Sequence, residues 1–276
     1  SALVWMLVAK FIPAKADDED SKGGEIPIQA PVSPASASAV QTPGDKVKVL
    51  TTASPEAIKL LQDAETELKR DQLVKARDLA LKAIESGMKE DNIGWDRAAE
   101  IISKANTTLI TSDLTSPEKQ LYEVKKGDSL LKIAILFNTT IEAVQKSNKL
   151  DEADSNIHFG QTLHLYKGDW KIKVSKSRYK LCVYDGTKLF AVFGIGTGKQ
   201  NRTPVGAFKI SVKQREPDWY SKGKKYPYGS PENILGTRWM ALKAQEGTNT
   251  TITGFGIHGT TEPDSIGKST SNGCIR

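Results

Sequence analysis

Two short stretches near the carboxyl end decide how this chain is interpreted: residues 256–260 read GIHGT and residues 271–276 read SNGCIR. They set a histidine, His258, and a cysteine, Cys274, in glycine-rich sequence. The thiolate is the nucleophile of cysteine chemistry, and a nearby imidazole can remove the thiol proton. An arbitrary pair of this kind is more often a packed thiol and a loop histidine. Gly273, however, favours a tight turn with amide N–H groups facing an oxyanion, so the pattern indicates thiol acyl transfer.

The same residues resemble the signature of the L,D-transpeptidase (YkuD-type) catalytic domain, in which His-Gly-Thr precedes Ser-(His or Asn)-Gly-Cys-(Ile or Val)-Arg. The spacing from His258 to Cys274 fits, and TPVGAF at 203–208 matches a third element, a Thr-Pro-x-Gly-x-Phe turn between strands. Many members carry a second histidine where this chain has Asn272. The resemblance implies a mostly-β catalytic domain over residues 170–276. Because the family continues beyond Cys-x-Arg, we expect this domain to be truncated at its carboxyl end.

The resemblance also implies an activity, that of a peptidoglycan L,D-transpeptidase and carbapenem target that needs no cofactor and no metal. Cys274 would attack the stem-peptide carbonyl that precedes D-alanine. His258 would carry the protons, as suits a group titrating near neutrality, and the Gly259 carbonyl would fix its tautomer. The backbone N–H groups of Asn272, Gly273 and Cys274 are the expected oxyanion donors. An amine acceptor would give a cross-link and water would give L,D-carboxypeptidase activity, and both acceptors stay open.

Three further residues are candidates for substrate contact. Arg276 would meet a stem-peptide carboxylate in a bidentate contact, although a solvated terminal arginine fits the sequence equally well. Ser271 and Tyr228 are expected to contact the substrate. Tyr228 belongs to a predicted loop over residues 215–236, rich in tyrosine, proline and glycine. This loop either covers the substrate as a lid or packs its aromatic rings on the sheet.

A second resemblance lies upstream. Residues 122–130, YEVKKGDSL, together with Asn148 and GQTL at 160–163, resemble the LysM module, a small binder of N-acetylglucosamine-containing glycans. The hydrophobic period changes twice in this region, which predicts a βααβ unit over 120–167. Asp128 or Ser129 would cap its first helix, and a capping box from Thr139 would begin the second. The resemblance implies a shallow glycan groove lined by Gly127, Asp128, Ser129, Leu130 and Ile157.

Residues 54–112 are predicted to form a small helical bundle. Ser54 and Pro55 give a helix start, with a serine cap and proline at the first helical position. Three apolar stripes at helical spacing follow, and together they can close one core. The pattern is similar to a tetratricopeptide repeat (TPR). It predicts either a docking site for another wall protein or a structural spacer.

The amino end carries two segments without a predicted fold. Residues 1–16 include a short apolar run that is interpreted as the remnant of a membrane anchor or of a signal peptide. Residues 17–53 are rich in Pro, Ala and Ser, which predicts a flexible linker. Either interpretation of residues 1–16 exports the rest of the chain, so we expect an extracytoplasmic protein of the periplasm or cell wall.

The length of 276 residues allows two or three small domains, and the patterns and resemblances together predict a multidomain α+β protein with the TPR-like helical segment, the LysM module and the catalytic domain in that order. Lys and Arg number 39 against 33 Asp and Glu, and the net charge of +6 favours residence near anionic wall polymers. No nucleic-acid partner is expected. Cys182 and Cys274 suggest neither a disulfide scaffold nor a zinc site. The rival hypothesis is a non-catalytic peptidoglycan-binding scaffold.

Overall fold

A computed structural model describes residues 53–90, 92–151 and 156–276. The predicted anchor or signal remnant and nearly all of the predicted linker lie outside these residues. None of the helices in the described ranges combines the length and the apolar character that crossing a bilayer requires. The described chain forms two compact units, the first from residues up to 173 together with 182–192, and the second from residues 174–181 and 193–276.

Three helices begin the first unit: α1 (Pro55–Lys69), α2 (Leu73–Glu85) and α3 (Ile93–Ile110). The predicted serine cap is present, since the Ser54 hydroxyl accepts a hydrogen bond from the Ala57 N–H at 3.1 Å. The apolar stripes close a core that is rich in alanine, including Ala57, Ala64, Ala76, Ala80, Ala83, Ala98 and Ala99. Small side chains allow the helices to approach closely. The likeness to a TPR stays a prediction.

The same unit contains a strand pair against which the helices pack, residues 182–192. The Asn106 side-chain amide of α3 donates to the Phe190 carbonyl at 2.9 Å, and the Val192 N–H donates to the Ser103 hydroxyl at 2.9 Å. Cys182 and Leu189 lie in the same buried cluster as the helix alanines. The helical segment is therefore part of a packed unit.

The predicted βααβ module is present in this unit as β1 (Lys119–Glu123), α4 (Leu130–Leu136), α5 (Ile141–Ser147) and β2 (Thr162–Tyr166), with β1 and β2 antiparallel. The Ser129 hydroxyl caps α4 by accepting from the Lys132 N–H at 3.3 Å. The predicted cap of α5 was wrong by one residue, because Thr140 accepts from the Ala143 N–H. The Thr139 N–H instead closes the end of α4 on the Ala134 carbonyl at 2.9 Å.

The regular elements in the remainder of the chain are mainly strands, as predicted. The strands are β3 (Trp170–Ser175), β4 (Lys180–Asp185), β5 (Lys188–Gly194), β6 (Thr197–Gly198), β7 (Phe208–Arg215), β8 (Trp219–Ser221), β9 (Lys224–Tyr226), β10 (Arg238–Ala244), β11 (Gly256–His258) and β12 (Ser269–Ser271). Strands β3, β4 and β5 pair in that order, β10 lies between β11 and β7, and β12 runs parallel to β6.

The segment 215–236 is not a plain loop, because β8 and β9 pair within it as a hairpin. The rings of Trp219 and Tyr226 stack at a centroid distance of 4.9 Å and an interplanar angle of 29°. Lys225 forms an ion pair with Asp218 at 2.8 Å. Trp219 and Tyr226 thus pack on one another across the hairpin.

Candidate active site

The two carboxyl-terminal motifs meet through backbone hydrogen bonds. Residues 274–276 run parallel to β11, with a bridge between Ile257 and Ile275. The His258 N–H donates to the Ile275 carbonyl at 2.9 Å, and the Ile275 N–H donates to the Gly256 carbonyl at 2.9 Å. The strand that ends at His258 therefore lies directly beside the residue that follows Cys274.

The imidazole of His258 is oriented by its own neighbour in the chain. Its Nδ1 lies 2.6 Å from the Gly259 carbonyl oxygen. A carbonyl oxygen can only accept, so Nδ1 carries the proton and Nε2 presents its lone pair. This contact is the one predicted for Gly259. It leaves Nε2 as the ring nitrogen that can accept a proton.

The thiol of Cys274 lies against the residues that lead into His258. Its Sγ is 3.8 Å from the Gly254 carbonyl, two residues before Gly256 at the start of β11. Burial raises the pKa of the thiol to about 11, although the Gly256 N–H and the Arg276 charge act in the opposite direction. The Cys274 thiol is therefore neutral at pH 7.

The pKa of His258 also departs from its ordinary value. Burial lowers it to about 4, opposed by the Gly259 and Leu235 carbonyls and assisted by the Arg276 charge. This lowered pKa differs from the prediction that His258 titrates near neutrality, because burial of the ring disfavours the imidazolium. At neutral pH both members of the pair are uncharged.

The turn before Cys274 is fixed by a buried hydroxyl. Ser271 Oγ donates to the Cys274 carbonyl at 2.6 Å and accepts from the Gly273 N–H at 3.1 Å. Both contacts are internal, so the expectation that Ser271 touches substrate does not fit this structure, and the Gly273 N–H is engaged rather than free for an oxyanion. In the described part of the chain, no hydrogen bond occupies the Cys274 N–H. The Asn272 N–H stays a predicted donor.

Arg276 is neither solvated nor unpaired. Its side chain is 10% exposed, and Nη1 lies 2.5 Å from Oε2 of Glu262. The alternative of a solvated terminal arginine is thus excluded, and Glu262 is a neighbour that sequence reasoning missed. Tyr228 follows β9 with an exposed side chain, and its N–H donates to Asp218 Oδ1 at 3.0 Å. No hydrogen bond or ring contact among the described residues joins the Tyr228 ring to the cysteine–histidine pair.

Two other residues at this site were not singled out from sequence. Trp239 on β10 lies opposite His258 on β11, and the two strands are antiparallel there. Thr203, the first residue of the TPVGAF element, is buried and donates its hydroxyl to the Gly273 carbonyl at 2.8 Å. The element was quoted from the family resemblance, but no local pattern indicates that its threonine contacts a loop 70 residues away.

The predicted glycan residues divide into structural and accessible groups. Leu130 is 2% exposed and belongs to the module's core, so its predicted contact with sugar methyl groups is wrong. Asp128 Oδ2 accepts from the Tyr122 hydroxyl and the Lys125 N–H, both at 2.8 Å, which engages it inside its own turn. Gly127 permits that turn with φ of 86°, and Ile157 packs partly against the core. Phe159, missed as an individual residue, is 77% exposed beside Ile157 in sequence.

Two family models match parts of the chain. The model of the L,D-transpeptidase catalytic domain, YkuD, matches residues 169–276, and the model of the LysM domain matches residues 122–165. The protein named "Putative L,D-transpeptidase YkuD" of Bacillus licheniformis is 32% identical over 164 residues, which cover 56% of this chain and 85% of that protein. The chain belongs to the YkuD-type L,D-transpeptidase family. Its catalytic domain is preceded by a LysM domain.

Two other relatives have names of the same kind. "Putative L,D-transpeptidase YkuD" of Bacillus subtilis is 32% identical over 162 residues, 56% of this chain and 84% of that protein. "Putative L,D-transpeptidase YqjB" of the same organism is 42% identical over 110 residues, 40% of this chain, and the match spans only 60% of YqjB. Among solved structures, the Ldtfm-avibactam carbamoyl enzyme matches 64% of this chain and 71% of its own at 20% identity and a TM-score of 0.29, which is too low to carry an argument.

Proposed function

We propose that this family member is an L,D-transpeptidase of peptidoglycan, with Cys274 as nucleophile and His258 as base. The observation that carries the proposal is the 2.6 Å contact between His258 Nδ1 and the Gly259 carbonyl. It keeps the lone pair on Nε2, in a residue at the end of the strand that lies beside residues 274–276. A base held in one tautomer, on a strand that pairs with the segment carrying the thiol, supports a role for His258 in activating Cys274 for acyl transfer.

The reaction begins from the neutral pair. As Cys274 Sγ attacks the carbonyl before D-alanine, its proton passes to His258 Nε2, and negative charge develops on the carbonyl oxygen. The imidazolium then protonates the leaving amine, D-alanine departs, and a thioester on Cys274 remains. An incoming amine attacks the thioester and loses its proton to the imidazole. The amide product forms, and the thiol is restored when the imidazolium returns the proton.

The depressed pKa of His258 supports a mechanism in which the thiol proton is transferred during the attack, rather than one that starts from a thiolate–imidazolium pair. With the thiol pKa near 11 and the imidazole pKa near 4, the ion pair is disfavoured before substrate binds. The Cys274 N–H supplies an oxyanion donor, and the Asn272 N–H is the second. Water in place of the amine makes the same thioester the intermediate of an L,D-carboxypeptidase.

The substrate and location follow from both domains. The LysM module would hold the protein on N-acetylglucosamine-containing glycan outside the cytoplasm, with Phe159 and Ile157 on the groove and the Gly127–Ser129 turn as its opposite wall. Each sugar contributes little in such a shallow site, so the module acts by raising the local concentration of stem peptides. Arg276 would bind a stem-peptide carboxylate, which would compete with the Glu262 carboxylate for the guanidinium.

Acylation by a carbapenem tests the proposal. We expect intact-mass spectrometry to detect one adduct on the wild-type chain, none on Cys274→Ala, and a rate lowered by about 10²- to 10⁴-fold on His258→Gln. Cys182→Ala is the matched control, because the other thiol is buried in the helical unit. A folded wild-type chain that stays unmodified while Cys274 reacts with iodoacetamide would favour the wall-binding scaffold.

A further inference from the structure

Thr203 makes two hydrogen bonds that join separate segments of the second unit. Its hydroxyl accepts from the Gly198 N–H at 2.7 Å and donates to the Gly273 carbonyl at 2.8 Å. The residue is 3% exposed, so water does not compete for either bond. One buried hydroxyl thus links the end of β6 to the peptide group that immediately precedes the nucleophile.

The bond to Gly273 fixes the direction of the next N–H. A peptide group is planar, and in its trans form the carbonyl and the N–H point in opposite directions. Because Thr203 holds the Gly273 carbonyl on one side, the Cys274 N–H is aimed at the other. That N–H is the one without a hydrogen-bond partner in the described ranges, as an oxyanion donor must be before substrate binds.

Glycine makes this peptide group dependent on an outside anchor. Gly273 has φ of 141°, a conformation that side-chain-bearing residues rarely adopt. A Cβ on Gly198 would lie 2.7 Å from the Gly273 Cα, so the two backbones are in direct contact. Glycine residues restrict the backbone torsion angles little, so Gly198 and Gly273 do not by themselves fix the orientation of this peptide group. The hydrogen bond from the Thr203 hydroxyl fixes it.

The peptide group on the other side of Cys274 is held in the same way. Ser271 Oγ donates to the Cys274 carbonyl at 2.6 Å. A buried hydroxyl therefore anchors the carbonyl on each side of the nucleophile. The Thr203 hydroxyl is the anchor that bears on the oxyanion donor.

We infer that Thr203 is a positioning residue for the reaction, setting the Cys274 N–H toward the developing oxyanion. The inference rests on the proposed function, since an oxyanion forms only if Cys274 attacks a carbonyl. It assigns the first residue of the TPVGAF element a role in acylation that is separate from the reactivity of the thiol itself.

Two reactions of the same thiol distinguish this role from a structural one. Acylation by a carbapenem passes through a tetrahedral oxyanion, whereas alkylation by iodoacetamide does not. For Thr203→Val, which keeps the shape and removes the hydroxyl, we expect acylation to slow by about 10- to 100-fold. Alkylation should change by less than about threefold. Thr203→Ser, which keeps the hydroxyl, should restore most of the acylation rate.

Thr197→Val is the matched control. Thr197 is 1% exposed, and its hydroxyl contacts the Ser269 hydroxyl at 3.0 Å rather than the nucleophile's turn. Its ratio of acylation to alkylation should equal that of the wild type. Mass spectrometry gives both rates on each full-length variant, and a thermal melt verifies folding.

Each outcome has a distinct meaning. If the ratio of acylation to alkylation in Thr203→Val equals that of the wild type, the positioning role is overturned and the proposed function stays intact. The same conclusion follows if Thr203→Val loses both reactions in parallel and Thr203→Ser does not restore acylation relative to alkylation. A wild-type chain that alkylates but never acylates overturns the proposed function, and this inference with it.

Discussion

Trp239 and His258 stack across two antiparallel strands, with ring centroids 5.8 Å apart and an interplanar angle of 29°. Both residues are buried. The indole covers one face of the imidazole, while the Gly259 carbonyl holds its Nδ1 edge. Together these contacts fix the plane and the tautomer of the ring, and the indole contributes to the burial that depresses its pKa.

Replacing the indole should therefore move the acid limb of the reaction. In Trp239→Leu, water reaches the ring and the pKa of His258 rises from about 4 toward 6.5. Acylation at pH 5, relative to pH 7.5, should fall by about tenfold, since a larger share of the imidazole is protonated. Trp239→Phe should shift less. The measurement is the pH profile of carbapenem acylation, with Trp219→Leu as control, and identical acid limbs would contradict the covering role.

The same pKa values predict how stability depends on pH. The folded-state pKa of His258 lies below the ordinary 6.5, so the unfolded chain binds more protons as pH falls from 6.5 to 4. Stability should decline over that window by about 3 kcal/mol and level off below it. Urea unfolding of wild type and His258→Gln checks this, because the variant should lack that part of the acid slope. Parallel curves would contradict it.

The raised pKa of Cys274 predicts a corresponding loss of stability at alkaline pH. Its folded-state pKa, about 11, lies above the ordinary 9.0, so the folded chain keeps a proton that the unfolded chain loses. Stability should decline between pH 9 and 11 by about 3 kcal/mol. The difference between the wild type and Cys274→Ala in urea midpoints isolates this group. If that difference stays constant across the window, the pKa of the thiol is not raised in the fold.

Local sequence patterns predicted the features that depend only on local geometry, such as helix caps. Ser54 and Ser129 cap helices as expected because a cap needs only a hydroxyl and the following turn. The hairpin of β8 and β9 was missed because its strands have three residues each, too few for alternation to register. Its turn residues, Lys222 and Gly223, have φ of 50° and 76°, and lysine gives no signal for that conformation.

Long-range contacts escaped prediction for a different reason. The pairing of Thr203 with Gly273 spans 70 residues, and that of Trp239 with His258 depends on strand register. The pKa of His258 is lowered because residues on other strands bury the ring, so the size of this shift could not be derived from the GIHGT motif. The motif predicted the pairing of Cys274 with His258, and the fold determined the charge state of both groups.

Glu262 should limit the access of anionic donors to Arg276. Glu262→Gln removes the carboxylate that occupies the guanidinium, so a stem-peptide carboxylate meets less competition. Because Glu262 is largely solvent-exposed, the expected fall in KM is only about two- to fivefold. The assay compares a stem-peptide donor with its amidated form, which should show no change. Glu232→Gln, on the surface, is the control, and an equal effect on both donors would contradict a direct carboxylate contact.

Phe159 should carry retention on the wall. Its exposed ring lies just before β2, whereas Leu136, also exposed, ends α4 at the opposite end from the Gly127–Ser129 turn. We expect Phe159→Ala to weaken binding to purified sacculi by about tenfold, since aromatic stacking on a flat ligand face is worth about 1–3 kcal/mol. Leu136→Ala should bind normally. Acylation by a carbapenem should be unchanged in both, and equal retention of the two variants would contradict the assignment.

Asn106 should couple the helices to the strand pair that they support. Its side chain donates to the Phe190 carbonyl, and Arg77 donates to its Oδ1 at 3.4 Å. Asn106→Ala leaves a buried carbonyl and a buried guanidinium N–H without their partner, which should cost about 2–3 kcal/mol. Thr108→Ala, which removes an exposed hydroxyl from the same helix, should cost less than about 0.5 kcal/mol. Urea unfolding measures both, and an unchanged midpoint for Asn106→Ala would mean that the helices do not stabilise the strands after all.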